Sequence, residues 1–220
     1  MMSKETKIVY GLGVMAVLIM VAYLMLWKIS SAHVAAVNKG KDNPQPRRVV
    51  DRDIELVDAN GEKRRFSDLK GKVWLVSHVF TRCPGQCAGV SAALDELLAK
   101  VNNNGLLHVV SVSLDPVHDR PAQLSQFAQK HGLVRDNWWF VTGEAQPLES
   151  YMKEVFWLSA QERPESQRNN VNDLFTHEPR VVLVDHRMRI RGWYYPFDPT
   201  SAGALERALE ETLSAAKKSS

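Results

Sequence analysis

The 220-residue sequence contains only two cysteines, Cys83 and Cys87, four positions apart. One close pair excludes the disulfide frameworks of small secreted domains, which need several bridges. There is no second Cys or His pair at the spacing that four-ligand structural zinc sites use, which disfavours zinc. Long basic runs are also missing. The longest is Lys63-Arg64-Arg65, and 28 basic residues mix with 25 acidic ones for a formal charge of +3. That balance argues against a nucleic-acid partner. No internal repeat appears at any solenoid period.

One segment is instead unusually free of charge. Ile8 to Trp27 is an uncharged run of twenty residues, long enough as a helix at ~1.5 Å per residue to cover a ~30 Å hydrocarbon core. A signal peptide has a shorter apolar region, so a single membrane anchor is expected. Flanking charge does not orient it. Lys4 and Lys7 precede the span, whereas Lys28, Lys39, Lys41, Arg47 and Arg48 follow it, a bias that taken alone points away from export. The expected organisation is a short segment 1–7, an anchor 8–27, a tether 28–48 containing Asn43-Pro44-Gln45-Pro46, a folded domain 49–216 and a disordered tail 217–220.

Within the domain, Ile54–Val57 and Lys63–Phe66 flank the turn signal Asp58-Ala59-Asn60-Gly61 and predict a β-hairpin. Val73–Phe80 is almost continuously apolar, as a strand covered on both faces would be. Residues 88–101 space Val90, Leu94, Leu97, Leu98 and Val101 as one helical face. A strand at Leu106–Val112 follows, then a helix Pro121–His131 with Asp119 expected as its cap. Trp139–Thr142 reads as a strand, Leu148–Trp157 as a helix and 159–173 as irregular chain. Arg180–Val184 and Met188–Tyr194 read as paired strands, and Ala204–Leu213 as a closing helix. A βαβ unit, a helix, a hairpin and a last helix make an α/β domain of thioredoxin plan with an added N-terminal β-hairpin. In that fold the reactive cysteines follow the first core strand, as they do here.

Cys83 and Cys87 lie at i and i+4, one helical turn apart, and Pro84 suits a first helical position. Backbone amides and the helix dipole there favour a thiolate, for metal binding or redox chemistry alike. A structural disulfide would close only a tiny loop and contribute little stability. Three intervening residues, where thiol–disulfide oxidoreductases of this fold use two, leave room for a metal. A third ligand must come from elsewhere in the chain. Seven histidines compete: His33, His78, His108, His118, His131, His177 and His186. His177 stands out because it opens the approach to the strand Arg180–Val184, with Pro179 between them at the place of the thioredoxin cis-proline. Asp115 and Asp119 read as turn and cap residues before they read as site residues.

The blocks FTRCPGQC, SVSLDPVHDRP and FTHEPRVVLVDHRMRIRGWY resemble, in order and spacing, the signatures of the Sco/SenC family. The resemblance implies that Cys83 and Cys87 are copper thiolates and His177 the copper imidazole. It also implies a chaperone that delivers copper to the Cu-A centre of cytochrome c oxidase subunit II, or a reductase in which Cys83 and Cys87 reduce the cysteines of that centre. The soluble domain would then lie on the periplasmic side of a bacterial inner membrane. A second copper carrier or a thiol–disulfide protein is a further partner, and a monomer is expected. Ala88 stands where many relatives have proline, and Gly85-Gln86 where an acidic residue is common. Met152 and Met188 are the only methionines beyond the N-terminal segment, so copper would depend on the cysteines being reduced. A peroxidase is disfavoured, because Thr81 and Cys83 are too close for the peroxiredoxin Thr-x-x-Cys arrangement.

Overall fold

The computed structural model describes residues 48–219, except 84–85, 102–104, 169 and 171–172, together with positions 15, 20, 21 and 25. The expected anchor and tether therefore lie almost wholly outside the described residues. Among the described residues no helix is long and apolar enough to cross a membrane. The chain divides into units 1–41 and 42–220, and every element below belongs to the second.

Among the described residues of the second unit nine strands run in chain order: β1 Leu56–Asp58, β2 Lys63–Arg64, β3 Val73–Val79, β4 Leu107–Ser113, β5 Trp138–Thr142, β6 Ala160–Glu162, β7 Phe175–His177, β8 Val181–Val184 and β9 Ile190–Tyr194. Four α-helices accompany them there: α1 Gln86–Lys100, α2 Pro121–Lys130, α3 Ala145–Phe156 and α4 Pro199–Lys217. The main sheet has the order β2-β1-β5-β4-β3-β8-β9. β3 pairs in parallel with β4 and β4 with β5, whereas β8 joins β3, and β9 joins β8, antiparallel.

All seven residues of β3 are buried, which explains its unbroken apolar run. Alternation then divides the strand between two cores. Val73, Leu75 and Val79 pack with Leu94 and Leu97 of α1, Leu124 and Phe127 of α2 and Leu205, Leu209 and Leu213 of α4. Trp74 and Val76 pack with Leu148, Met152, Val155 and Phe156 of α3 and with Phe66. This arrangement, three helices against one face of a sheet and one against the other, is the α/β thioredoxin-like class. The N-terminal hairpin is present: β1 and β2 pair antiparallel, Gly61 takes φ 82 in the turn, and Asp58 Oδ1 accepts from the amides of Asn60 and Glu62.

Several expectations need correction. The segment 159–173 is not wholly irregular, because β6 pairs with β7 in a separate two-stranded ribbon, Ala160 opposite His177. His177 thus ends that ribbon and does not open the core strand β8. The N-cap of α2 is Arg120, without a side-chain cap; Pro121 occupies the first turn, so Asp119 lies one residue too early to cap. The final helix starts at Pro199 and runs through Lys217, capped by Asp198, whose carboxylate accepts from Ser201 N at 2.8 Å, so the tail is shorter than expected. No peptide bond among the described residues is cis, the one before Pro179 included.

Candidate metal and thiol site

β3 delivers the chain to the site and α1 takes it away. After Phe80, the Cys83 amide donates to Phe80 O at 3.0 Å, closing a tight turn ahead of the helix. Pro84, expected at a first helical position, lies outside the described residues. Cys87 is the second residue of α1, so its amide is one of the unpaired donors of a helix N-terminus. It donates to Cys83 Sγ at 3.5 Å. Cys83 therefore lies before the helix, held by the end of it, and the two cysteines do not simply share one helical face.

Among the described residues neither cysteine is joined in a disulfide; Cys83 is half-buried and Cys87 is 1% exposed. The hydrogen bond with Cys83 pushes the Cys87 thiol pKa up, with burial and the charge of Cys83 acting in the same direction. Cys87 therefore holds its proton until a metal or a disulfide replaces it.

The ribbon supplies the imidazole. On a strand, residues two apart share a face, so Phe175 and His177 project the same way from β7. Phe175 meets the buried Phe80 edge-on at 5.3 Å between centroids. His177 Nε2 then lies 3.6 Å from Cys87 Sγ. Its Nδ1 is 3.3 Å from Glu178 O. A carbonyl can only accept, so that bond places the proton on Nδ1 and leaves the Nε2 lone pair facing the sulfur. Among the described residues, no three His, Cys, Asp or Glu side chains are yet grouped to hold a metal ion. The contacts present are pairwise.

A second histidine packs beside the first. His78 on β3 is 8% exposed and its ring stands edge-on to that of His177 at 6.3 Å. Burial, with the charge of His177 adding to it, pulls its pKa down to about 3, so it stays neutral. It also lines a cavity of about 440 Å³ with Arg82, Asp115, Met152 and Phe175. The residue after His177 is tied into a charged and aromatic cluster. Glu178 pairs with Arg180 at 2.6 Å and accepts from Tyr195 Oη at 3.2 Å, and the Arg180 guanidinium lies over the Tyr195 ring.

The remaining described histidines are placed elsewhere. His108 packs on Trp139, His131 on Phe127, and His118 is exposed, while His186 is half-buried in the turn between β8 and β9. The two aspartates read as turn and cap residues reach the cysteine loop. Asp115 is paired with Arg82, and Asp119 accepts from the Thr81 hydroxyl.

The thioredoxin-like sheet carries a dithiol at the end of an inner strand and an imidazole against the buried sulfur, a donor set suited to metal binding or to redox chemistry. The family model described as SCO1/SenC matches residues 42–213. The chain belongs to that family. The SCO1 protein homolog of Bacillus subtilis (strain 168) is 36% identical over 127 residues, 57% of this chain and 63% of that protein, so the match spans under two thirds of the relative. BsSco, described as a member of the Sco family of cytochrome c oxidase assembly proteins with a disulfide switch, superposes with a TM-score of 0.64. It is 25% identical over 78% of this chain and 96% of its own. Bradyrhizobium japonicum ScoI, solved with copper bound, gives a TM-score of 0.60 at 18% identity, covering 73% of this chain and 98% of its own, a likeness of fold.

Proposed function

We propose that this chain is a membrane-anchored copper chaperone that binds one copper ion through Cys83, Cys87 and His177. It assists cytochrome c oxidase assembly by delivering copper to the Cu-A centre of subunit II. The observation that carries the reading is the 3.6 Å separation of Cys87 Sγ and His177 Nε2. Bonds of about 2.0 Å to imidazole nitrogen and about 2.3 Å to thiolate, the lengths zinc takes, span roughly 3.5–3.7 Å at tetrahedral to trigonal angles. One metal ion of that size fits between them. Two thiolates suit Cu(I), and imidazole suits either oxidation state. Family membership and the copper-bound relative support the choice of copper.

Delivery needs a site that a partner can reach and that has a coordination position to spare. Cys83 and His177 are half-buried, not sealed, and three ligands leave room for an incoming thiolate before an old ligand departs. The proposed setting is a bacterial inner membrane, with residues 8–27 as the span, 28–48 as the tether and a monomeric domain from 49 on the periplasmic side. Residue 217 now belongs with the domain, since α4 runs through it.

Copper titration of the metal-free, full-length protein tests the reading. The reduced protein is expected to bind one equivalent and the disulfide form none. His177→Ala is expected to weaken Cu(II) at least tenfold, and more than Cu(I). Failure of the reduced protein to retain copper would sink the proposal.

A second reading is a thiol–disulfide reductase acting on the Cu-A cysteines, favoured by two adjacent cysteines of unequal burial and by the disulfide switch of BsSco. Turnover that traps a mixed disulfide on a single-cysteine variant, at a rate indifferent to His177→Ala, would select it.

A further inference from the structure

The copper reading assigns no task to the loop that leaves β4, yet side chains of that loop hold both residues preceding Cys83. Asp119, with no exposed surface, accepts from Thr81 Oγ1, from Thr81 N at 3.4 Å and from Ser113 Oγ at 2.8 Å. Ser113 Oγ in turn accepts the Asp115 amide at 3.0 Å, and the Asp115 carboxylate pairs with Arg82. The bonds leave the chain at Thr81 and return to it at Arg82, closing a ring. Arg82 also lies over the Phe80 ring, 5.6 Å from its centroid.

From this ring we infer that Asp119 is a positioning residue for the dithiol: by fixing Thr81 it holds Cys83 against Cys87 and so sets how readily the pair closes to a disulfide. Cys83 lies before the helix, where the Cys87 amide reaches its sulfur and its own amide donates to Phe80 O. The turn from Phe80 therefore shares in setting where its backbone lies. Hydrogen bonds to a buried carboxylate are the strong kind, and an intramolecular reaction gains from having its partners placed before it starts. Without the anchor, the turn samples arrangements in which the sulfurs are apart.

The inference rests on the same cysteine pair as the proposed function but not on copper. Its test is therefore metal-free. The full-length protein is equilibrated with reduced and oxidised glutathione and the disulfide fraction measured. Two electrons pass from the protein thiols to glutathione disulfide, one S–S bond forms in the protein as one breaks in glutathione, and two glutathione thiols take the protons. Thr81→Val, which keeps the shape and removes the hydroxyl, is expected to lower the equilibrium constant for closure about tenfold, or ~30 mV for two electrons. Asp119→Asn is expected to lower it in the same direction. Thr81→Ser, which restores the hydroxyl, is expected to lie within about twofold of the unsubstituted protein, a change small beside that tenfold. Tyr151→Phe removes a hydrogen bond to Arg52 O in the core beside Phe66. It controls for general loosening and is expected to leave the equilibrium unchanged.

A wild-type equilibrium in Thr81→Val overturns the inference. So does a fall in Thr81→Ser equal to that in Thr81→Val, or a comparable fall in Tyr151→Phe. If Asp119→Asn does not fold, the two Thr81 variants decide alone. A protein that fails to bind copper but shows this ordering loses the proposed function and keeps the positioning role.

Discussion

At the scale of single residues, the described histidines differ more in surroundings than in sequence context. His108 is half-buried on β4 against Trp139, and its Nδ1 has no hydrogen-bond partner. Burial, aided by the charge of Lys72, lowers its pKa below the ordinary 6.5. The unfolded chain therefore binds a proton at this position before the folded one does. Its contribution is neutral above about pH 6.5 and turns destabilising as the pH falls below that value toward the depressed folded pKa. His108→Phe should thus lose less stability than the parent between pH 6.5 and 5, read as the shift of urea midpoints with pH. The cysteine pair was legible in the sequence because its spacing is local. His177 was less so, since seven histidines fit the chemistry, and choosing it took its place before the strand Arg180–Val184 and then the family resemblance, whereas the ribbon is what positions it. Asp119 was misread, although Pro121 at the first helical turn already puts the cap at Arg120. What no local pattern shows is that Thr81 and Ser113, 32 residues apart by number, meet on one carboxylate.

Among the elements, those whose residues repeat an apolar pattern were readable and those held by a few contacts were not. β3, β4, α1 and α3 stand within a few residues of their expected bounds, because burial on one or both faces imposes its own period. The β6–β7 ribbon escaped notice. Ala160-Gln161-Glu162 and Phe175-Thr176-His177 are short and contain no fully buried residue, and twelve residues lie between the end of one and the start of the other. Phe175 against Phe80, and His177 against Cys87 and His78, give the ribbon its foothold near the cysteines. Helix α4 was truncated in the sequence reading because Ser201, Ala202 and Gly203 lack an apolar stripe, although Asp198-Pro199 is a start signal. Asp198→Ala removes the acceptor of the Ser201 amide. It is expected to cost about 1 kcal/mol, as N-cap losses do, seen as a lower urea midpoint at unchanged slope.

For the whole molecule, the uncharged run 8–27 and the folded unit make separable predictions. A chain beginning at residue 42, where the family match starts, should remain in the aqueous phase and bind copper as the full chain does. The full chain should sediment with membranes and leave them only in detergent. A full chain released by high salt or carbonate would exclude a spanning anchor.

The site also joins two parts of the chain that unfolding would treat differently. Cys83 and Cys87 are four residues apart and stay within reach of each other when the chain unfolds, whereas His177 is 90 positions from Cys87. The dithiol half of the site can survive denaturation, but the imidazole is brought to it only by the folded sheet and ribbon. A ligand held by native-only contacts stabilises the native state, and one that the unfolded chain also holds does so less. Cu(II), which draws on the imidazole, should therefore raise the melting temperature and leave as the domain melts. Cu(I) can remain on the two sulfurs of the denatured chain.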